Sequence, residues 1–374
     1  MSFLFWCAAA LLVYTYFGYP LLMAVLARLR PAEAPAPAPA EWPEVTVVMA
    51  AYNERARIDR KIANLRALDY PQDRLHIVVV SDGSTDGTQD AAAAHPGVRV
   101  LHFPGRHGKP HGLNRALEVV TTPVVLFNDV RQAMQPDALK LLVARLQLPG
   151  VGAVSGELVH LDPQTRTAAN IGLYWRYEKW IRAAESRFRS TVGATGAIYV
   201  IRTADFVPLA EDAILDDFEL PMAIARTGQR VLFEGGALLF DELQSEMDGE
   251  RKRKVRTLTG NYQAMARHPW MFSPLHNPLW LQFMSHKVFR LVAPYAMVIL
   301  LATSLLLALH PFYFAAAVAQ VAFYLMAAGG MRLPRLRRSR LVSFSAVFVE
   351  MNLAAVVGLY RYIAGRAEVR WEKT

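Results

Sequence analysis

Long apolar runs at both ends of the chain constrain its fold more than any other feature of the sequence. One run covers about residues 2–27, and the others cover about 288–309, 312–331 and 341–364. Because a helix rises about 1.5 Å per residue, each run can cross a hydrocarbon core of roughly 30 Å. A hydrophobic content of 53% agrees with this. The sequence therefore predicts a membrane protein whose spans flank a central polar region.

The first apolar run has two interpretations, an uncleaved membrane span and a cleaved signal peptide. It lacks a basic start, exceeds the usual length of a signal-peptide apolar region and ends in Arg28-Leu29-Arg30. These features favour a span whose C-terminal end is cytoplasmic. The predicted organisation is an N-terminal span at 1–28, a Pro- and Ala-rich linker at 29–43, a cytoplasmic domain at 44–265, interfacial helices at 266–287, about three further spans at 288–364 and a tail at 365–374.

The net charge of +9 has an explanation in membrane topology. Arginines beside spans mark the cytoplasmic side and attract anionic lipid headgroups. One loop between apolar runs holds Arg332, Arg335, Arg337, Arg338 and Arg340. No stretch interleaves aromatic and basic residues as a nucleic-acid surface does, so no nucleic-acid partner is expected. The basic tail after Gly365 conflicts with a simple alternation of spans, and its topology stays open.

Other residues of the apolar runs narrow the possibilities further. The single cysteine, Cys7, excludes an intrachain disulfide and a cysteine-rich metal site. Glu350 and Asn352 lie inside the last run, where polar groups are costly. They indicate either a functional site or hydrogen bonds between helices.

The polar region alternates strand and helix patterns. Apolar, β-rich segments at 45–50, 75–80, 98–103 and 124–127 alternate with helical patterns at 54–68, 84–94 and 111–120. This alternation predicts an α/β domain with a mostly parallel sheet covered by helices on both faces. Ligands of such sheets bind beyond the carboxyl ends of the strands. Polar clusters follow the first, second and fourth of these strands, so we expect a ligand site there.

The segment after the second strand is dense in carboxylates and glycines. Asp82 can accept hydrogen bonds from a nucleobase or ribose edge, whereas helix capping near Ser84 predicts a similar composition. Asp86 is expected to be structural. Lys109 lies in a Gly- and His-containing loop before a predicted helix. Its ammonium group could meet a diphosphate, and a solvated loop is the alternative.

Carboxylates farther along the chain allow catalytic and structural interpretations. Asp129 follows a buried strand and suits a hard divalent cation that binds a diphosphate, although aspartates also form turns. Asp216 and Asp217 precede a predicted helix. They could be a general base with an orienting group, or a helix cap with acidic first-turn residues. The basic cluster at 251–256 could neutralise a diphosphate or contact anionic lipids.

Taken in this order, the segments resemble the inverting, membrane-bound family 2 glycosyltransferases, which include cellulose, hyaluronan and poly-N-acetylglucosamine synthases. The similarity is specific in Ala51-Tyr52-Asn53-Glu54 and Ser81-Asp82-Gly83-Ser84, which look like the nucleotide-binding half of that family. It covers about residues 44–265. The resemblance implies a GT-A fold, a UDP-type nucleotide-sugar donor, and Mg²⁺ or Mn²⁺ as the cofactor.

The resemblance also implies roles for individual residues. Asp82 would hold the nucleobase, Asp129 would bind the metal and the diphosphate, and Asp217 would be the catalytic base. The nucleotide-sugar contacts would further include Ala51, Tyr52, Asn53, Glu54, Lys109, Asn128, Arg253 and Arg256. The acceptor contacts would be Gly193, Ala194, Thr195, Gly196 and Asp216.

The chain departs from the family pattern at functional positions. Arg131 stands where the family has the second acid of Asp-X-Asp. Arg253 and Thr257 stand where polymerising members have the Gln and Trp of Gln-X-X-Arg-Trp. The first departure bears on metal binding. The second makes single transfer to a lipid acceptor a competitor of processive polymer synthesis.

The resemblance implies an inverting transfer of a sugar from a nucleotide sugar to a lipid or saccharide acceptor, and the apolar runs place it at the bilayer. The product would be a β-glycosidic bond in a polysaccharide or glycolipid. The expected location is a bacterial inner membrane with a cytoplasmic catalytic domain, and accessory export proteins are a further partner class. The alternatives are a catalytically weak, membrane-anchored nucleotide-sugar sensor and a single-sugar lipid glycosyltransferase.

Overall fold

The computed structural model describes residues 1–31, 36–161, 173–242 and 247–367. Parts of the predicted linker, cytoplasmic domain and tail lie outside these residues. The chain groups into two compact units. The membrane-helix unit consists of Met1–Leu22, Met247–Ala266 and Leu281–Ala367, and the sheet unit contains Met23–Glu246 and Arg267–Trp280.

The sheet unit is built on a mixed sheet with the strand order β3-β2-β1-β4-β7-β6-β8-β5. The strands are β1 (Val45–Ala51), β2 (Leu75–Asp82), β3 (Val98–Phe103), β4 (Val124–Asn128), β5 (Ala133–Met134), β6 (Val151–Leu161), β7 (Ile198–Arg202) and β8 (Arg230–Glu242). Strands β1 to β4 pair in parallel, and β7 runs antiparallel to both β4 and β6. The predicted α/β class and its four strands are confirmed.

Strand β1 lies inside the sheet because its side chains are apolar on both faces. Val45, Val47, Val48 and Met49 are each at most 1% exposed. A continuous apolar run of this kind is typical of a parallel strand covered by helices on both sides. The parallel pairing brings the carboxyl ends of β1, β2 and β4 to one edge of the sheet. The polar residues that follow these strands therefore emerge together.

The helices cover the sheet and form the membrane-helix unit. In chain order they are α1 (Ser2–Val13), α2 (Tyr19–Arg28), α3 (Arg55–Arg66), α4 (Thr88–Ala93), α5 (Lys109–Leu117), α6 (Ala138–Leu146), α7 (Leu173–Phe188), α8 (Asp216–Arg226), α9 (Met247–Arg267), α10 (Trp280–Gln282), α11 (Phe289–Leu306), α12 (Pro311–Arg332) and α13 (Arg340–Ile363).

Two predicted helix starts were wrong. Helix α4 begins at Thr88 instead of near Ser84, because Gly87 adopts a left-handed conformation with φ of 82° just before it. The Asp86 carboxylate accepts a hydrogen bond of 3.1 Å from the Thr88 amide, which confirms the structural role expected for Asp86. Helix α5 begins at Lys109, so this residue lies in the first helical turn and not in the preceding loop.

Helical segments long and apolar enough to span a membrane occur at both ends of the described chain. They are Ser2–Arg28, Trp280–Leu306, Pro311–Arg332 and Arg340–Ile363. The second of these begins within the segment predicted to be interfacial. The first two contain π-helical turns, Tyr14–Gly18 and Phe283–Val288, which meet where the Tyr14 hydroxyl lies 2.9 Å from Ser285 Oγ.

The polar residues of the last span contact polar residues elsewhere in the membrane-helix unit. Glu350 pairs with Arg337. The Tyr16 hydroxyl donates a hydrogen bond of 3.3 Å to Asn352 Oδ1. Such contacts are the usual way in which polar groups within apolar helices are satisfied. Of the two interpretations of Glu350 and Asn352, the structure favours packing between helices.

Gly358 lets α13 pack closely against the backbone of α9. A β-carbon at this position would lie 3.0 Å from the Thr259 amide nitrogen, a backbone atom that cannot rotate away. We therefore expect Gly358→Ile to separate the helices and to cost about 1–3 kcal/mol of stability. The measurement is the thermal unfolding midpoint of the detergent-purified protein. Gly329→Ala is the control, since its new methyl group would meet only the Leu336 side chain at 3.4 Å. Equal midpoints for the two variants would contradict the prediction.

Candidate active site

Asp82, at the end of β2, holds the loop that precedes α5. Its side chain is 1% exposed, and its two carboxylate oxygens accept hydrogen bonds of 2.8 and 2.7 Å from the amides of His107 and Gly108. Gly108 has a φ of 110°, a value that side chains disfavour. An ionised carboxylate offers about four acceptor positions. Asp82 therefore fixes this loop, and its contact with a nucleobase stays a prediction.

The loops after β1 and β2 are joined by hydrogen bonds. The Asn53 amide donates to Ser84 Oγ at 3.1 Å, and the Thr85 amide donates to Asn53 Oδ1 at 2.8 Å. The Glu54 amide donates to Thr88 Oγ1 at 2.9 Å. Asn53 has a φ of 54°, in the left-handed region that asparagine tolerates better than most residues. The predicted nucleotide-binding motifs thus form one connected surface.

An aromatic ring lies beside this surface. Ala51 is the last, buried residue of β1, and the next residue, Tyr52, stacks with the Arg106 guanidinium 4.0 Å from its ring centroid. Glu54 forms an ion pair of 2.9 Å with Arg57. Tyr52 and Arg106 together give a flat, cationic face of the kind on which nucleobases stack.

The Lys109 ammonium connects two of the predicted carboxylates. Its Nζ lies 3.4 Å from Asp129 Oδ1 and 3.2 Å from Asp216 Oδ2, and donates a 3.0 Å hydrogen bond to the Gly196 carbonyl. Burial alone would lower the pKa of Lys109, but Asp129, Asp216 and Asp217 together raise it above the ordinary value. Lys109 therefore carries a positive charge in this site.

Asp216 and Asp217 lie in the first turn of α8, whose N-cap position is Leu215. The alternative that one of them caps the helix was therefore wrong, although acidic residues do occupy its first turn. Asp216 is 6% exposed, and the Tyr199 hydroxyl donates a 3.4 Å hydrogen bond to it. Burial and then the Asp216 charge raise the pKa of Tyr199, so this donor stays neutral.

The loop 193–196 packs directly on Asp217. The Ala194 amide donates a 2.7 Å hydrogen bond to the Asp217 carbonyl. A β-carbon at Gly196 would lie 2.5 Å from Asp217 Oδ2, so only glycine allows the carboxylate to occupy its position. Gly193 has a φ of 90° and equally requires the absence of a side chain. The predicted acceptor loop and the predicted base are thus adjacent.

Arg182 supports this loop from α7. Its guanidinium donates hydrogen bonds of 3.0 Å to Thr195 Oγ1 and 3.2 Å to Ser155 Oγ, and it stacks 4.9 Å from the Phe233 ring centroid. Ser155 Oγ in turn accepts a 2.7 Å bond from the Thr195 amide. Burial lowers the pKa of Arg182, yet an arginine remains charged at any physiological pH.

Asp129 follows β4 at the same edge. Its amide donates a 3.3 Å bond to the Ala197 carbonyl, which also accepts a 2.6 Å bond from Asn128 Nδ2. The Asp129 side chain is 41% exposed. Arg131 points instead toward β8, where it pairs with Asp241. The predicted site residues of the sheet unit are therefore brought together, whereas Arg253 and Arg256 belong to the membrane-helix unit and their contact with a diphosphate stays a prediction.

Comparisons with known proteins agree with this geometry. A family model described as Glycosyl transferase family 2 matches residues 46–205, and one described as Glycosyl transferase family group 2 matches residues 129–326. The second match covers more than half of the chain. The chain belongs to the family 2 glycosyltransferases.

Relatives of this glycosyltransferase include synthases of amino-sugar polymers. It is 27% identical over 221 residues to an N-acetylglucosaminyltransferase of Mesorhizobium japonicum, covering 57% of this chain and 51% of the relative. It is 22% identical over 236 residues to a poly-β-1,6-N-acetyl-D-glucosamine synthase of Staphylococcus aureus, covering 60% and 56%. The glycosyltransferase thus spans about half the length of the curated relatives it matches.

A solved structure shows the same fold over nearly the whole chain. The mannosyltransferase of Pyrobaculum calidifontis, solved in complex with GDP-mannose and Mn²⁺, aligns with a TM-score of 0.73 and 24% identity. The alignment covers 97% of this chain and 99% of that one. The GT-A fold implied by the sequence resemblance is confirmed.

The donors at the sheet edge fit the divalent cation that the family implies. Among the residues that the structure describes, no three His, Cys, Asp or Glu side chains form a metal cage. Mg²⁺, however, is commonly bound by one or two carboxylates and completes its shell with water and substrate phosphates. The partly exposed carboxylate of Asp129 offers one such ligand. The residues therefore fit a cation shared between Asp129 and a bound diphosphate.

Lys61, Arg182 and Asp241 were missed by sequence reasoning. Lys61 is 2% exposed and donates a 2.7 Å hydrogen bond to the Gln132 carbonyl, beside the Asp129 loop. It falls within the apolar stripe of α3, next to Ile62, and a charge in such a stripe was a usable signal. Arg182 and Asp241 are distant in sequence from their partners, and no local pattern marks them.

Gly196→Ala tests the contact between the predicted acceptor loop and Asp217, the predicted base. The new methyl group would overlap Asp217 Oδ2 and displace this carboxylate, and a shift of about 1 Å costs roughly 100-fold in rate. We expect kcat/KM for glycosyl transfer to fall by about that factor while the thermal midpoint changes little. Gly235→Ala is the control, because its methyl group would have only ordinary contacts at 3.6 Å. Unchanged activity in Gly196→Ala would contradict the assigned geometry.

Lys61 predicts a pH dependence of stability. Burial lowers its pKa to about 7 from the ordinary 10.5, although the Asp129 charge opposes this shift. Between these values the unfolded chain binds more protons than the folded one, so this group makes stability rise with pH. We expect the unfolding midpoint of wild type relative to Lys61→Met to increase from pH 7 to pH 10. A constant difference across this range would show that the amine titrates normally.

Proposed function

We propose that this glycosyltransferase transfers a sugar with inversion from a nucleoside diphosphate sugar to a hydroxyl of a saccharide or lipid acceptor at the membrane. The observation that carries the proposal is the arrangement of Asp129 and Asp216 around the Lys109 ammonium group, with Asp217 next to the loop 193–196. A binding site for a diphosphate and a base for an acceptor hydroxyl thus lie side by side.

The proposed reaction uses Asp217 as a base and the Lys109 ammonium, paired with Asp129 and Asp216, as a positive charge for the leaving group. Asp217 takes the proton of the acceptor hydroxyl while the oxygen of that hydroxyl attacks the anomeric carbon of the donor sugar. The bond between that carbon and the β-phosphate oxygen breaks, and its electron pair leaves with the nucleoside diphosphate. Attack opposite the leaving group converts an α-linked donor into a β-linked product. Lys109, positively charged between Asp129 and Asp216, can stabilise the negative charge that develops on the leaving group.

A divalent cation would be held by Asp129 together with the diphosphate. When bound it would supply Lewis-acid stabilisation of the departing phosphate. Mg²⁺ and Mn²⁺ are both suited to one carboxylate plus phosphate oxygens. The Mn²⁺ in the complex of the Pyrobaculum calidifontis enzyme supports this choice.

The nucleobase of the donor and the kind of acceptor are proposed as chemical classes. Relatives named for N-acetylglucosamine transfer support a UDP-linked amino sugar, whereas the mannosyltransferase complex contains GDP-mannose. A polysaccharide acceptor follows the named synthases. Thr257, in place of the aromatic platform of polymerising members, supports single transfer to a lipid acceptor instead.

The apolar helical segments at both ends support an integral membrane protein. Arginines after the first span and before the last support a cytoplasmic position for the catalytic unit, and a bacterial inner membrane is the proposed location. In this position the donor would come from the cytoplasm and the acceptor from the bilayer.

The experiment measures release of free nucleoside diphosphate by the full chain in detergent, with UDP- and GDP-sugars, Mg²⁺ or Mn²⁺, and membrane lipid. We expect one donor to react and Asp217→Asn to lower kcat by about 10²–10⁴-fold, because the acceptor proton loses its base. Asp212→Asn is the control, since this carboxylate is 66% exposed and pairs with Arg267. Product size then separates polymer from single transfer. Full activity of Asp217→Asn would refute the assignment of Asp217 as the catalytic base. If no donor released a nucleoside diphosphate, the proposed glycosyl transfer itself would be refuted.

A further inference from the structure

The arginine in the place of the second family acid has a specific partner. Arg131 forms an ion pair with Asp241, which lies near the end of β8 and is 3% exposed. Asp241 therefore presents a buried carboxylate to the loop that follows Asp129. A buried carboxylate is costly unless it is paired and hydrogen-bonded. The pairing is thus a built feature of this site, not an exposed contact.

Further contacts tie the same loop to its surroundings. Gln132 Nε2 donates a 3.3 Å hydrogen bond to the same Asp241 oxygen, and the Gln132 carbonyl accepts the 2.7 Å bond from Lys61. Beyond it, β5 pairs with β8 in the register Ala133 opposite Phe240. The loop from Asp129 to Gln132 is therefore held by α3 on one side and by β8 on the other.

This arrangement bears directly on Asp129. A carboxylate that binds a cation needs a fixed orientation, and the groups that fix it contribute strongly to metal affinity. Since Asp129 is the one family acid left at the Asp-X-Asp position, its orientation depends on the backbone between it and Gln132. That backbone is fixed through the side chains of Arg131 and Gln132.

We propose that Asp241 is a positioning residue that acts through Arg131 to fix Asp129 for binding of the cation and diphosphate. The inference rests on the proposed function. Arg131 thus stands in place of a second metal-binding acid, and its ion pair with Asp241 lets Asp129 alone provide the carboxylate for the cation.

A matched ion pair elsewhere in the sheet unit separates positioning from general stability. Arg145 on α6 pairs with Glu234 on β8 at 2.8 Å, and their side chains are 18% and 20% exposed. This pair joins α6 to β8, and both of its residues lie outside the loop from Asp129 to Gln132. Arg145→Met therefore reports what loss of such a pair does to the fold alone.

The experiment measures binding of UDP and GDP to the full chain by calorimetry, with and without Mn²⁺, together with the thermal midpoint. We expect Arg131→Met and Asp241→Asn to weaken Mn²⁺-dependent binding by roughly 10–100-fold. Arg145→Met should lower the midpoint similarly and leave binding unchanged. The exchanged pair, Arg131→Asp with Asp241→Arg, should recover most of the affinity.

Arg131→Asp alone gives the sharpest contrast. It restores the acid of the family pattern but places it beside Asp241, so we expect weaker Mn²⁺-dependent binding. Tighter binding would show that position 131 faces the metal and would overturn the proposal. Unchanged binding in Arg131→Met and Asp241→Asn would also overturn it. If wild type bound neither nucleotide, the proposed function itself would fail, and this inference with it.

Discussion

The candidate site depends on one mostly buried cation, the ammonium group of Lys109, whose side chain is 17% exposed. Asp129 and Asp216 approach it from the end of β4 and from α8, so a single positive charge lies between the two carboxylates. Its position depends in turn on Asp82, which accepts the amides of His107 and Gly108 and so fixes the start of α5. Asp82, which is expected to recognise a nucleobase, thus also positions the Lys109 charge that lies between Asp129 and Asp216.

A steric constraint complements this charge. Gly196 touches the Asp217 carboxylate so closely that a β-carbon would overlap it, and Arg182 holds the neighbouring Thr195 from behind. The Asp217 carboxylate therefore cannot turn toward the loop 193–196. Because Lys109 also donates to the Gly196 carbonyl, the loop is held from the side of Asp129 as well. Electrostatic and steric restraints thus both act on the loop 193–196.

The features of the structure that depend on local sequence patterns could be predicted from the sequence. The parallel strands follow from continuous apolar runs, and the positions of Asp82 and Asp129 at strand ends follow from the topology of such sheets. Helix starts were less predictable, since Gly87 and Asp86 together delayed α4 to Thr88. The partners Arg131 and Asp241 are separated by 110 residues along the chain, so only the folded β8 brings them together. The family resemblance named the acids, but it did not reveal which side chains hold them in place.

The same reasoning distinguishes a transferase from a sensor of nucleotide sugars. A sensor needs groups for the base and the diphosphate, such as Asp82, Tyr52 and Asp129. The first turn of α8 adds a second pair of acids, one of them 6% exposed and the other pressed against glycine. Burying such charges opposes folding unless a cation offsets them, as Lys109 does for Asp216. Asp216 adds to the proposed diphosphate site through Lys109, whereas the close packing of Gly196 on Asp217 supports the proposed reaction at Asp217, which a sensor would not need.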